Sequence, residues 1–529
     1  MPSENSPNPD QGDAEVRRVG PLGRMMLISR ILGLFRDILL TTLLGAGATA
    51  DALRAALRIP VMLRDMLSEG ALSAAFSPAY RQQQQAADPE ASQRFAQAAL
   101  GSILTLSLTL LALLAWQAET IIEIFVPGLN GDAVASWLRL LLPYLALVPF
   151  MAVFRGLLHC HRRDAQALKP QIFQNLALLA SGSLMLAMGV SDSERAQGWI
   201  WAFLGGALLG VLGMLRDISR HTPIPWPSLR WKVAGHGRFL RDFGALLLSQ
   251  ILIQSYSLIA FRLLSELQEG SVTWFETAFR FHFFPIALIG VSSGIVAADE
   301  SADLLSRGQP RQLSRMLTRN QRLTAFVGGL AGAGLLATAA LVIQSFFVHG
   351  EFTETDGLKT SAILSWYCLA IPFAALNVGL QRTAITLGLR KAVLGITLLG
   401  LVLQTFILFG GFIEVSTDLI AQSYVISAIF TWLALQGLIR RSLTLPRLRW
   451  SQGLKLIVLM LIVHQGAHYW IEGLSTSTPE FAGRTALILG TAIMLGVLLA
   501  TWVGRRLKMV EVESMWEVFR AASRSQKKR

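Results

Sequence analysis

Five arginines stand where the chain is otherwise greasy enough to sit in a lipid bilayer: Arg30, Arg36, Arg58, Arg64 and Arg280. A guanidinium is a planar fork of N–H donors that stays charged and matches phosphate oxygens, so arginines gathered in a membrane point to a phosphorylated anionic amphiphile. Leaving one at mid-bilayer costs roughly 2.5–3.5 kcal/mol on insertion scales, which drives such side chains toward a bundle interior or a watery cavity. Carboxylates run beside them. Arg36 adjoins Asp37, and residues 30 and 37, seven apart, share one helix face. Asp51, Arg54 and Arg58 follow an i, i+3, i+7 spacing and form one polar stripe, continued by Arg64 and Glu69, with Asp65 a further carboxylate of the segment. Positive charge is in surplus, and Arg280 and His282 add to it from further along the chain. Asp37, Asp51 and Glu69 are candidate charge or coupling partners, with a proton or a cation. Blander roles compete. Arg24, Arg81 and Arg30 can snorkel to the interface, and Asp51 or Thr49 can cap a helix.

The elements that must hold these charges are membrane helices. The 529-residue chain is 53% hydrophobic and only 15% charged, against about 25% charged in ordinary soluble proteins. Its mean hydropathy is +0.49. A helix needs about 20 apolar residues to cross the hydrocarbon core. Fourteen spans fit, near 25–44, 52–80, 98–126, 134–158, 168–190, 197–216, 242–266, 272–299, 321–348, 359–384, 388–410, 417–439, 452–472 and 483–504. Basic loops such as "HCHRRDAQALK", "SRGQPRQLSRMLTRNQR" and "RRSLTLPRLRW" alternate with acidic or neutral ones such as "SELQEGS" and "HGEFTETDG". Basic loops stay in the cytoplasm. That rule accounts for the net charge of +13 without nucleic acid and places both termini inside. Dropping the second span would invert every later loop, so the charged segment itself crosses the membrane or enters it deeply.

The expected organisation follows. Residues 1–24 form a polar, disordered cytoplasmic tail with no cleavable signal peptide; 25–216 form a first lobe of six spans, and 217–241 a basic linker. Residues 242–439 form a second six-span lobe, 452–504 a final pair, and 505–529 a basic tail. "AALRIP" (Ala55–Pro60) and "TAFRFHFFP" (Thr277–Pro285) echo each other in the second span of each lobe, the mark of a parallel repeat. "GAGATA" (Gly45–Ala50) reads as a tight periplasmic turn, and "LGGALLGVLG" (Leu204–Gly213) as a small-residue packing face. "HCH" (His159–His161), beside Arg162 and Arg163, favours contact with lipid headgroups over a metal. Cys160 and Cys368 are far apart and give no disulfide framework.

The stretch "SRILGLFRD…GAGATADALRAALRIPVMLRDMLSEGALSAAFSPAY" closely resembles the opening of the MurJ/MviN family of lipid II flippases, with several fixed spacings over its length. "GSVTWFETAFRFHFFPIALIGVSSG" and "VHGEFTETDGLKTSAIL" resemble later segments of that family. The resemblance implies an all-α polytopic membrane protein with 14 transmembrane helices: two six-helix lobes around a central cationic cavity, plus a C-terminal helix pair forming a lipid-tail groove. It implies that undecaprenyl-pyrophosphate-linked peptidoglycan precursor is flipped from the inner to the outer leaflet of the bacterial cytoplasmic membrane by alternating access. It assigns Arg30, Arg36, Arg58, Arg64 and Arg280 to the headgroup and carries over Asp37, Asp51 and Glu69. The implied partners are the polyprenyl-linked glycolipid, membrane lipids and cell-wall synthesis machinery. No cofactor is expected beyond membrane-potential or cation coupling, and no ATP-binding motif is present. Departures mark a divergent member. Val61 and Asp65 break the family's P-N-L-L-R-R, and Phe279 and Phe283 stand where acids usually flank the eighth-helix arginine. A flippase for another polyprenyl-pyrophosphate oligosaccharide and a non-transporting cell-wall scaffold are the rival readings.

Overall fold

The computed structural model describes residues 9–67, 72–86, 88, 90–220, 222–411, 413–443, 450–477, 484–507 and 509. Every regular element among them is helical. In chain order these are α1 (Pro9–Leu44), α2 (Ala48–Arg64), α3 (Leu72–Gln84), α4 (Ala91–Trp116), α5 (Ala118–Phe125) and α6 (Gly131–Leu141). There follow α7 (Pro143–Cys160), α8 (Lys169–Met188), α9 (Asp192–Ser219), α10 (His236–Ser265), α11 (Ser271–Ser306) and α12 (Pro310–Phe347). The last are α13 (Glu354–Thr386), α14 (Arg390–Phe409), α15 (Thr417–Ser442), α16 (Trp450–Ser477) and α17 (Arg484–Arg506).

Among the described residues, twelve helical segments are long and apolar enough to cross a membrane. The first two expected spans fall outside that set: the apolar end of α1 carries Arg30, Arg36 and Asp37, and the second span is divided between helices of 17 and 13 residues. The second expected span is built from α2 and α3, with residues 65–67 continuing in a wider turn. Pro60 and Pro78 lie inside these two helices. The third and fourth expected spans also break. Gln117 leaves helical geometry between α4 and α5, and α7 restarts at Pro143, where a ring without an N–H costs nothing. The expected disordered N-terminal tail is corrected over residues 9–24, which are helical in α1; residues 1–8 lie outside the described residues. Proline suits a first helical position, and Ala14, Glu15, Arg17 and Arg18 are good helix formers. The expected basic tail lies outside the described residues from 510 on.

The chain forms two compact units, one of Met1–Thr273 with Gly350–Phe352, the other of Trp274–His349 with Thr353–Arg529. In the first, α8 and α9 make the most extensive helix pair. The small-residue face expected there is real. A Cβ at Gly206 would meet the Cα of Gln174 at 2.6 Å, and Gly210 abuts Pro170 just as tightly. Gly45 ends α1 with a φ of +60°. Its missing Cβ also leaves room for the Glu351 carbonyl, and the Glu351 amide donates to the Thr42 carbonyl at 3.1 Å. In the second unit, Leu313, Leu317, Leu380, Leu435 and Ile439 belong to a core cluster drawn from α12, α13 and α15. The final helices α16 and α17 pack on each other and on α12 through Phe326, Leu459, Val463, Ala500 and Val503.

Candidate functional site

The first unit carries Arg30, Arg36, Arg58 and Arg64; the second carries Arg280. On α1, Arg36 turns both Nε and Nη2 onto one oxygen of Asp37, at 2.9 and 2.8 Å. Its Nη1 donates to Asn175 Oδ1 at 3.0 Å. Asn175, buried on α8, donates in turn to the Ser29 carbonyl at 3.2 Å. The charge is thus held on a rigid helix pair. The neutralisation of Arg36 by its neighbour was legible in the sequence; the asparagine was not, because nothing in its spacing marks it. Arg30 lies half-buried one and a half turns earlier on the same helix.

On α2 the same fork recurs. Arg64 donates from Nε and Nη2 to Asp65 Oδ1 at 3.0 and 2.6 Å. Asp65, one of the carboxylates the sequence sets among these arginines, is the direct partner of Arg64. Arg58 is half-buried; its Nη2 lies 3.4 Å from Gln254 Oε1, and its guanidinium sits 5.6 Å from the centre of the Phe261 ring, both on α10. Arg54, one turn earlier on the same stripe, is buried more deeply than any of the five arginines, at 3% exposure. The i, i+3, i+7 spacing flagged it; the motif comparison passed over it.

Asp51 does something different from capping its own helix. The N-cap of α2 is Gly47. The Asp51 carboxylate reaches the entry of α11 instead, accepting from the Gly270 amide at 2.8 Å and from the Thr273 amide and hydroxyl at 2.9 and 2.6 Å. Two of the orphan donors at a helix start are satisfied by one side chain from a distant segment. The residue is 1% exposed. Glu69 lies outside the described residues.

In the second unit Arg280 is exposed on α11, and Glu276 stands 3.9 Å away, one turn back. The sequence reading looked for acids at 279 and 283 and missed this one. Phe279 has a structural role. It packs with Tyr367, Tyr424 and His282, with ring centres 5.5, 6.0 and 5.6 Å away. Inside this cage His282 is fully buried, 3.3 Å from the Tyr424 hydroxyl. His282 is therefore an interior packing residue of the second unit, which corrects its reading as added cationic potential. Phe283 is exposed.

Helices of membrane length in two units, with guanidinium–carboxylate pairs on the first two helices, define a multi-pass membrane protein. Its fold is that of known transporters. A lipid II flippase MurJ in an inward closed conformation superposes with a TM-score of 0.75 at 21% identity, covering 92% of this chain and 99% of the other. An inward-facing MATE family multidrug resistance transporter of the MOP superfamily superposes with a TM-score of 0.64 at 17% identity, covering 80% and 98%. The family model for the lipid II flippase MurJ matches residues 40–491, and the chain belongs to that family. A probable lipid II flippase MurJ from Buchnera aphidicola is 27% identical over 360 residues, 67% of this chain and 70% of the relative. One from Vibrio cholerae is 28% identical over 359 residues, 65% and 67% of the two chains. The matched region includes Asp51, Arg58, Arg64 and Arg280; Arg30, Arg36 and Asp37 precede it.

Proposed function

We propose that this protein flips lipid II, the undecaprenyl-pyrophosphate-linked peptidoglycan precursor, from the inner to the outer leaflet of the bacterial cytoplasmic membrane by alternating access, with both termini in the cytoplasm. Arg30, Arg36, Arg58, Arg64 and Arg280 receive the pyrophosphate and sugar headgroup. Asp37 and Asp65 hold two of those guanidinium groups in place until phosphate oxygens compete for them. The observation that carries the reading is the family match across residues 40–491, in a chain whose first helices keep arginines half-buried. Buried charge is expensive in a membrane helix, and its retention there marks a substrate path.

The polyprenyl tail stays in lipid, in a groove formed by α16 and α17. Net movement needs an energy source, because a ligand bound equally in two states shifts nothing. The membrane potential acting on the cationic site supplies one, worth about 2.3 kcal/mol per charge per 100 mV. Asp37 is the candidate coupling group, since Asp51 is fully engaged at the start of α11. The cell-wall synthesis machinery is the expected neighbour. The test is rescue of a Gram-negative cell depleted of its own lipid II flippase, with outer-leaflet lipid II measured directly. Restored exposure is the expected result. Exposure that stays at the depleted level, while another polyprenyl-pyrophosphate glycan is moved, would contradict the choice of substrate.

A further inference from the structure

A second basic cavity, apart from the arginines of α1 and α2, opens within the first unit. Its volume is ≈ 790 Å³, and it is lined by Ser77, Pro78 and Arg81 of α3, Arg155 and His159 of α7, and the 164–168 turn. That size is in the range of small-molecule sites, roughly 300–1,000 Å³. The lining is organised by helical spacing. Ser77 and Arg81 lie one turn apart on α3, and Arg155 and His159 one turn apart on α7, so each helix offers one face to the hollow.

Two guanidinium groups stand against one carboxylate. That carboxylate is already engaged: Asp164 accepts from His159 Nδ1 at 2.5 Å. Since a carboxylate only accepts, the bonded ring nitrogen carries the proton and Nε2 is the ring atom left for a ligand. The turn that brings Asp164 to His159 is a strained one. Arg162 adopts a φ of +57°, the only positive φ of a non-glycine residue among those described. The amide of Arg163 closes it by donating to the Leu158 carbonyl at 2.8 Å. Such conformations persist only where the surroundings impose them. Ser77 supplies an independent sign. It is 9% exposed, it lines the cavity, and beside the Cys160 thiol, a weak partner, its Oγ has no nitrogen or oxygen as hydrogen-bond partner among the described residues. A buried hydroxyl left with no stronger partner than a thiol is under-satisfied and can take a ligand oxygen.

We propose that this cavity binds a phosphate-bearing anion at the cytoplasmic face, with Arg81, Arg155, His159 and the Ser77 hydroxyl as donors. Paired guanidinium groups and a hydroxyl match phosphate oxygens. Pro78, Ala167 and Leu168 give the hollow an apolar wall suited to an amphiphile. The basic loop "HCHRRDAQALK" places the site on the side where anionic lipids meet positive loops. Two sources share the chemistry, an anionic glycerophospholipid and a free phosphate, and the test separates them.

The full-length protein is purified in detergent, and native mass spectrometry titrates phosphatidylglycerol, diacylglycerol and inorganic phosphate against wild type, Arg81→Gln, Arg155→Gln and Ser77→Ala. Thermal unfolding is measured on the same samples. Phosphatidylglycerol affinity is expected to fall about tenfold in each arginine variant, the loss of one charge-assisted contact, and less in Ser77→Ala. Diacylglycerol, which lacks the phosphate, should be unaffected. Loss of phosphatidylglycerol binding without competition by millimolar phosphate assigns the site to a lipid; parallel loss of both probes assigns it to a free anion. Arg81 is exposed, so Arg81→Gln folds even if Arg155→Gln does not. Unchanged binding of both phosphate probes in folded Arg81→Gln overturns the proposal.

Discussion

The polar groups singled out in the sequence are held differently in the two compact units. In the first, charge answers charge: Arg36 is forked onto Asp37, Arg64 onto Asp65, and Asp51 gathers three donors at the entry of α11. In the second, aromatic rings surround a fully buried His282, with Tyr367 and Tyr424 centred 5.0 and 5.2 Å from it. Phe279, where the family resemblance leads one to expect an acid, belongs to that cage. The contrast teaches that the departures in the second unit are not gaps. An aromatic cluster occupies this part of α11, while the Arg36–Asp37 and Arg64–Asp65 pairs lie at the other end of the chain, on α1 and at the end of α2.

Substitutions at four positions break or sharpen this contrast, all read by thermal unfolding of the detergent-solubilised protein. Asp51→Ala should have the largest effect. It strands the amides of Gly270 and Thr273 in a buried setting, at about 3–5 kcal/mol for the pair. Asp51→Asn, which keeps one acceptor oxygen, should recover part of the loss. A cost below about 1 kcal/mol would mean the carboxylate is no tether. Phe279→Ala comes next, at about 2–3 kcal/mol, below the usual Phe→Ala range because the ring is only half-buried. Retained stability would show that the cage does not support the second unit. Asp65→Asn should cost about 1 kcal/mol, because the pair with Arg64 is partly hydrated at 18% and 28% side-chain exposure. That loss should shrink as salt is raised; a salt-independent loss argues for packing instead. Gln254→Leu should be the mildest, within about 0.5 kcal/mol, because its contact with Arg58 at 3.4 Å is long for a hydrogen bond. A larger loss would make the amide, rather than the Phe261 ring, the main support of Arg58.

Much of this architecture was legible in the sequence. Hydropathy located the twelve helices of membrane length among the described residues; the charged opening segment, added on charge alternation, is helical but not one of them. The turn at Gly45 and the glycine face of α9 were readable from composition because each depends on a missing side chain. The breaks at Gln117 and Pro143 were missed although both were marked: Gln117 and Glu119 interrupt one apolar run and a proline the other. Partners distant in sequence were hidden. Asn175 reaches Arg36 from 139 residues away, and Thr273 reaches Asp51 from 222 away. No local pattern encodes such meetings. Glu276 was in plain view and was passed over, because family motifs directed attention to positions 279 and 283.

The central claim is that the guanidinium groups of α1 and α2 carry the headgroup. Its most direct test is outer-leaflet lipid II in flippase-depleted cells expressing Arg36→Ala or Arg58→Ala at wild-type protein levels. Exposure should fall to the depleted background for each variant, while Arg139→Ala, whose exposed side chain pairs with Glu119, should support normal exposure. Wild-type exposure from both Arg36→Ala and Arg58→Ala would contradict the account.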